Sequence, residues 1–216
     1  MSQETFLNLL VIMGKASLVT IKIFVLTLVF GLPLGLIVAF GRMSKHFVIN
    51  GPIRFYLLIM RGTPLILQLF FFFYFPHFVF GTTLPRFWAA ILAMSINYAA
   101  YFAEIYRSGI QSISKGQYEA ATVLGFNKNQ TFFKIILPQV VKRILPPMSN
   151  EFMTLVKDTA LVSVIGVSEI YELATGTMSR MGSILPLIMA GLFYLIMNSV
   201  VSKCCSIAEI KMSYYR

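Results

Sequence analysis

Charge is scarce in this sequence, and acid is scarcer than base. Of 216 residues, 12% are Asp, Glu, Lys or Arg, about half the roughly 25% of an average soluble domain. Disorder is excluded, because 57% of the chain is hydrophobic and 20 residues are Phe. A soluble globular fold could not cover so much apolar surface. Cysteine is nearly absent, and the two present, Cys204 and Cys205, are adjacent. Neighbours on a helix do not face each other, so no disulfide framework exists, and His46 and His77 are too far apart to complete a metal site. A nucleotide-cradling loop is missing as well: Gly14-Lys15 is followed by Ala16, with no earlier glycine in place. No nucleophile–base pair is visible, so catalysis is expected elsewhere. Low-complexity linkers and internal repeats are missing, which reads as one domain over residues 1–216. The start, Met1-Ser2-Gln3-Glu4, has no positive region and no cleavage site after it, so the first apolar run is expected to remain as an anchor.

What is there is a set of long apolar runs. A bilayer core of about 30 Å takes roughly 20 apolar residues per helix. Five stretches qualify, at about 17–40, 53–75, 87–106, 144–167 and 184–205. The first is interrupted by Lys22. The second contains Arg61 and Pro64, and its later part, from Leu65 to Phe80, has no charge. The expected fold is therefore an all-α membrane protein with five transmembrane helices.

The net charge of +10 comes from 18 bases and 8 acids. The bases do not form the dense stripe of a nucleic-acid surface, so no nucleic acid partner is expected. They sit in short pieces between the apolar runs, as the positive-inside rule produces. Placing the first loop, the third loop and the C-terminus together puts twelve of the 18 on one side, Arg216 included. Three (Lys15, Arg86 and Arg180) fall on the other, and Lys22, Arg61 and Lys157 fall inside spans. The expected orientation is N-terminus outside and C-terminus in the cytoplasm.

The long polar stretch from Arg107 to Arg143 then lies in the cytoplasm, and a loop that long in a compact domain is usually functional. Ser114 to Gln117 has the form of a capping box opening a short helix through Leu124. Gly125 stands where a helix ends in a left-handed turn. Asn127 to Gln130 repeats the start signal, and the next helix is expected to run until Pro138. Small residues on the first helix would let another surface approach.

Within this loop Glu119-Ala120-Ala121, Gly125 and Ile135-x-Leu137-Pro138 recur at a spacing that resembles the coupling motif of ABC importer permeases. Arg61-Gly62-Thr63-Pro64-Leu65 with Gln68-Leu69-Phe70, the run from Ala103 to Ile110, Gly116-Gln117, Asn150-Glu151-Phe152 and the run from Lys157 to Ile165 are similar to signatures of polar amino acid uptake permeases. One departure is Ser108, where that family more often has Gly. The resemblance implies a type I ABC importer-like fold. It also implies a place in the bacterial inner membrane beside a second, identical or homologous permease. Two ATPase subunits would sit beneath and use ATP and Mg, with no cofactor held by this chain. An extracytoplasmic binding protein would deliver the amino acid. Carried over residue by residue, Glu119, Ala120, Ala121 and Gly125 are the expected ATPase-coupling positions.

Ionisable groups at membrane depth cost at least ~2.5–3.5 kcal/mol and usually face a cavity or a partner. Glu151, Thr154 and Asp158 share one helical face, since steps of three, four and seven residues are neighbours. With Arg61 and Thr63 from the second span, and Asn97, Tyr101 and Glu104 from the third, they form a set with acceptors for an ammonium group and donors for a carboxylate. The alternative is that Arg61 or Lys157 pairs with Glu104 or Asp158 only to neutralise it and lock helices. Phe70 to Phe73 reads as packing bulk or lipid-facing surface. A stand-alone channel or ion-coupled carrier would also explain the membrane charges but not the spaced loop, and a third reading is a structural membrane subunit without transport.

Overall fold

The computed structural model describes residues 3–212. Met1, Ser2 and residues 213–216 lie outside it, and with them the expected external position of Ser2 and the share of Arg216 in the charge tally. Every regular element in the described chain is helical: α1 (Gln3–Arg42), α2 (Phe47–Gly62), α3 (Leu65–Phe80), α4 (Arg86–Gln111), α5 (Lys115–Val123), the single turn α6 (Lys128–Gln130), α7 (Leu137–Asp158), α8 (Ile170–Met181) and α9 (Leu185–Lys211). A π-helical segment, Thr131–Ile136, joins α6 to α7, and a 3-10 segment, Thr159–Ile165, follows α7.

Among the described residues, Phe6–Arg42 and Leu185–Lys211 are each long and apolar enough to cross a bilayer. α1 runs well beyond the expected 17–40. About 30 Å of helix separates exposed Lys22 from Arg42, one hydrocarbon thickness. The expected second span, 53–75, is not one straight helix: Phe47–Gly62 and Leu65–Phe80 are bent by 113° at the break between them. Pro64 is the cause, since the residue before a proline is pushed out of the helical region, and Thr63 is indeed extended at φ −120°, ψ 149°.

α4 lies at the centre and buries thirteen residues. It faces protein rather than lipid, so it can carry Ser95, Asn97 and Glu104 without the hydropathy of a lipid-facing span. Its core partners include Ile23, Leu69, Leu155 and Val162. α1 lies against it at glycines: a Cβ at Gly35 would sit 2.8 Å from the Cβ of Phe102 and 3.1 Å from the carbonyl oxygen of Ala99. Small residues permit such close helix approach in membranes. A second cluster joins Leu9 and Met13 of α1 to Ile170, Ala174, Met189 and Ala190. Here Glu169, fully buried, caps α8 by accepting from the Glu172 backbone N–H at 2.9 Å and also accepts from the Tyr194 hydroxyl at 2.6 Å.

The expected fourth span, 144–167, has different limits. α7 begins at Leu137 and absorbs Pro138, because a proline in the first turn loses no helical bond. The loop helix therefore does not stop there but continues through the π segment. At the other end α7 gives way at Thr159 to the 3-10 segment, and Gly166, at φ 73°, turns the chain. α8 was not expected at all.

Candidate functional site

A cavity of about 170 Å³ opens where the α2–α3 break meets α4 and α7. Its lining is Thr63, Leu65, Asn97, Tyr98, Tyr101, Glu151, Thr154 and Asp158. Six of the eight expected membrane residues thus converge: Thr63, Asn97, Tyr101, Glu151, Thr154 and Asp158. The spacing of Glu151, Thr154 and Asp158 on one face of α7 aims them together.

The break is held open by two amides. Gln68 donates from Nε2 to the Met60 carbonyl at 3.0 Å and to the Thr63 hydroxyl at 2.8 Å. Asn97 donates from Nδ2 to the same Met60 carbonyl at 3.0 Å and to Oε1 of Gln68 at 2.8 Å. Both are buried, and they satisfy carbonyls that the interrupted helix leaves without partners. Across the cavity the Tyr98 hydroxyl donates to Oδ2 of Asp158 at 2.7 Å. Gln68 and Tyr98 were not among the expected site residues. Gln68 stood inside a quoted motif without a role, and Tyr98 stands three residues before Tyr101 on the same helix, a spacing that places the two on one face.

The other two expected members stand apart. The three ion pairs among the described residues all end on Glu104: Arg107 at 2.7 Å, Arg61 at 3.7 Å and Arg42 at 4.0 Å. Arg107 also forms two hydrogen bonds to this carboxylate. Arg61 lies 5.6 Å over the Tyr101 ring centre, so it abuts the cavity wall without lining it. Arg61 and Glu104 thus do pair, while Arg107 makes the closer contact to that carboxylate. Asp158 is held by Tyr98, and Lys157 is exposed.

The polar loop folds as two short helices in a hairpin. Gly125 has φ 77°, its N–H donates to the Thr122 carbonyl at 3.0 Å, and the Phe126 N–H donates to the Ala121 carbonyl at 3.0 Å, the paired closure of a Schellman turn. The capping box at Asn127 and Gln130 forms as expected. That at Ser114 does not: its side chain makes no cap hydrogen bond, and the Gln117 side chain instead meets Gln139 at 3.1 Å. Glu119 and Ala120 are exposed, but Ala121 is buried against its own chain, so the expected small docking face is narrower by one residue. Val123 and Leu124, 86% and 73% exposed, protrude at the hairpin tip instead.

Residues 31–203 match the family model described as "binding-protein-dependent transport system inner membrane component". The chain belongs to this family. It is a multi-pass inner-membrane protein, the translocation component of an ABC importer, and works with other permease and ATPase subunits. It is 36% identical over 198 residues to the arginine transport system permease protein ArtQ of Bacillus subtilis (strain 168), covering 90% of this chain and 89% of that one. It is 44% identical over 156 residues to the L-cystine transport system permease protein TcyB of the same organism, covering 72% of this chain and 66% of that relative's length. A solved amino acid ABC transporter with histidines superposes with TM-score 0.87 at 33% identity, over 98% of this chain and 99% of that one. The MetNI methionine ABC transporter, inward facing, matches at TM-score 0.73 and 18% identity over 99% and 100% of the two chains, a likeness of fold alone. This component therefore has the type I importer permease fold.

Proposed function

We propose that this permease carries a polar amino acid across the membrane through the cavity between the α2–α3 break, α4 and α7. The observation that carries the reading is the convergence of Glu151 and Asp158 with hydroxyl and amide groups in one cavity beside a broken helix. Irregular backbone at membrane depth is tolerated where it lines a cavity. An ammonium group finds acceptors in the two carboxylates, and Thr63, Asn97 and Thr154 offer further hydrogen bonds. Relatives named for arginine, cystine and glutamine support an amino acid cargo.

An extracytoplasmic binding protein delivers the cargo, and an ATPase pair hydrolyses ATP with Mg. The second permease is a copy of this chain or a homologue. The hairpin from Lys115 to Gln130, with Glu119, Ala120 and Gly125 at its surface, docks on the ATPase. The excess of Lys and Arg on the loop side supports a cytoplasmic hairpin, with α1 entering from outside.

Purification of the native complex, with identification of its subunits and bound small molecule, tests the proposal. ATPase subunits and an amino acid are expected. A permease that purifies alone and conducts without ATP would support the channel or carrier reading instead.

A further inference from the structure

The cavity has an imbalance. Two carboxylates line it and no cation does, yet an amino acid brings a carboxylate of its own. The nearest arginine at its wall, Arg61, is held loosely. Its guanidinium makes no hydrogen bond among the described residues, sits 3.7 Å from Glu104 and 5.6 Å over the Tyr101 ring, and its side chain is 45% exposed. Glu104 does not depend on it. Arg107 already binds that carboxylate through two hydrogen bonds, at 3.1 and 2.7 Å, and Arg42 stands 4.0 Å away. One negative charge thus faces three guanidiniums, and Arg61 is the surplus one with access to the cavity wall. It also precedes Gly62 at the helix break, where a Cβ would meet nothing within 4 Å, so the surroundings leave room for the chain to adjust.

We infer that Glu104 parks Arg61 when the cavity is empty, and that Arg61 leaves Glu104 to bind the carboxylate of the incoming amino acid. The inference rests on the amino acid reading above and adds how the cargo's negative end is recognised. Guanidinium–carboxylate pairing is bidentate and directional, so the exchange replaces a pair without hydrogen bonds by one with two. Glu104 keeps Arg107 throughout, and no buried charge is left alone. Arg61 is then a binding residue for the carboxylate, and Glu104 is a positioning residue that competes for it.

The test uses the whole transporter in nanodiscs without ATP. The probes are L-arginine, L-glutamine, L-cystine and L-histidine, each measured against its carboxamide, and the amino acid bound most tightly by wild type is taken forward. Arg61→Gln should weaken binding of the acid by about tenfold or more and leave the carboxamide unchanged. Arg61→Lys should keep part of the preference, because the point charge remains. Glu104→Gln should tighten binding of the acid, because the competitor is gone. A merely structural clamp predicts that both members of the pair weaken acid and carboxamide alike, and that result would overturn the inference. So would equal binding by Arg61→Gln and wild type. Should Glu104→Gln fail to assemble, the two Arg61 variants decide alone. Wild type binding none of the probes would overturn the amino acid reading itself, a failure visible before any variant is made.

Discussion

Replacing Val123 and Leu124 together by alanine should loosen the ATPase without disturbing the permease. The two side chains are 86% and 73% exposed at the tip of the hairpin, so the chain's own packing gains little from them. Full burial of a valine or leucine is worth about 1.5–3 kcal/mol. Roughly three-quarters of that remains to be gained on docking, about 1–2 kcal/mol per residue. Alanine retains a part, so the double change should cost about 2 kcal/mol, on the order of 30-fold in association. The assay is titration of purified ATPase onto the immobilised permease complex in detergent, with binding-protein-stimulated ATP hydrolysis measured beside it. The control is Leu195→Ala, also exposed at 62% but within α9, which should leave ATPase affinity unchanged. An affinity within threefold of wild type for the double variant, with coupling intact, would refute docking through this tip.

Gly125→Val should leave the permease in the membrane but stop uptake, since φ 77° costs a side chain about 1–2 kcal/mol and redirects the hairpin; normal uptake at equal blotted levels would count against it. Gly35→Ala should lower thermal stability, because the new methyl would lie 2.8 Å from the Phe102 Cβ and 3.1 Å from a backbone oxygen; an unchanged unfolding midpoint would show that α1 and α4 separate freely. Tyr98→Phe removes the donor 2.7 Å from Asp158 and should change the apparent KM for uptake by about tenfold, with little effect on assembly. In a background without Cys204 and Cys205, an impermeant reagent should label Glu4→Cys but not Lys211→Cys on intact cells; the reverse pattern would invert the topology.

The membrane class and the long helices at both ends of the chain were legible because apolar runs and base placement report directly on lipid exposure. The α7 face was legible because helical period alone aligns Glu151, Thr154 and Asp158. The 113° break was not read, although Arg61 and Pro64 were visible, because the apolar runs on either side of them together have the length of one span. The Gln68–Asn97 pair shows why: its role exists only once two carbonyls lose their partners, a fact of tertiary geometry. The burial of Ala121 within its own chain was not legible, because small residues suit both a partner's approach and close packing within the chain. α8 escaped notice because an amphipathic helix of twelve residues is too short to register as a span. Arg61 and Glu104 were grouped with the cavity residues, but sequence could not say that Arg107, three residues on, claims Glu104 first.

The most direct test of the cavity as the amino acid route is uptake into proteoliposomes holding the permease, its ATPase and its binding protein. Wild type should accumulate radiolabelled amino acid only with ATP inside and binding protein outside. Asp158→Asn should keep the complex assembled yet lower uptake by about tenfold or more, because the carboxylate that faces the cavity loses its charge. Accumulation by wild type without ATP, or full uptake by Asp158→Asn, would contradict the account.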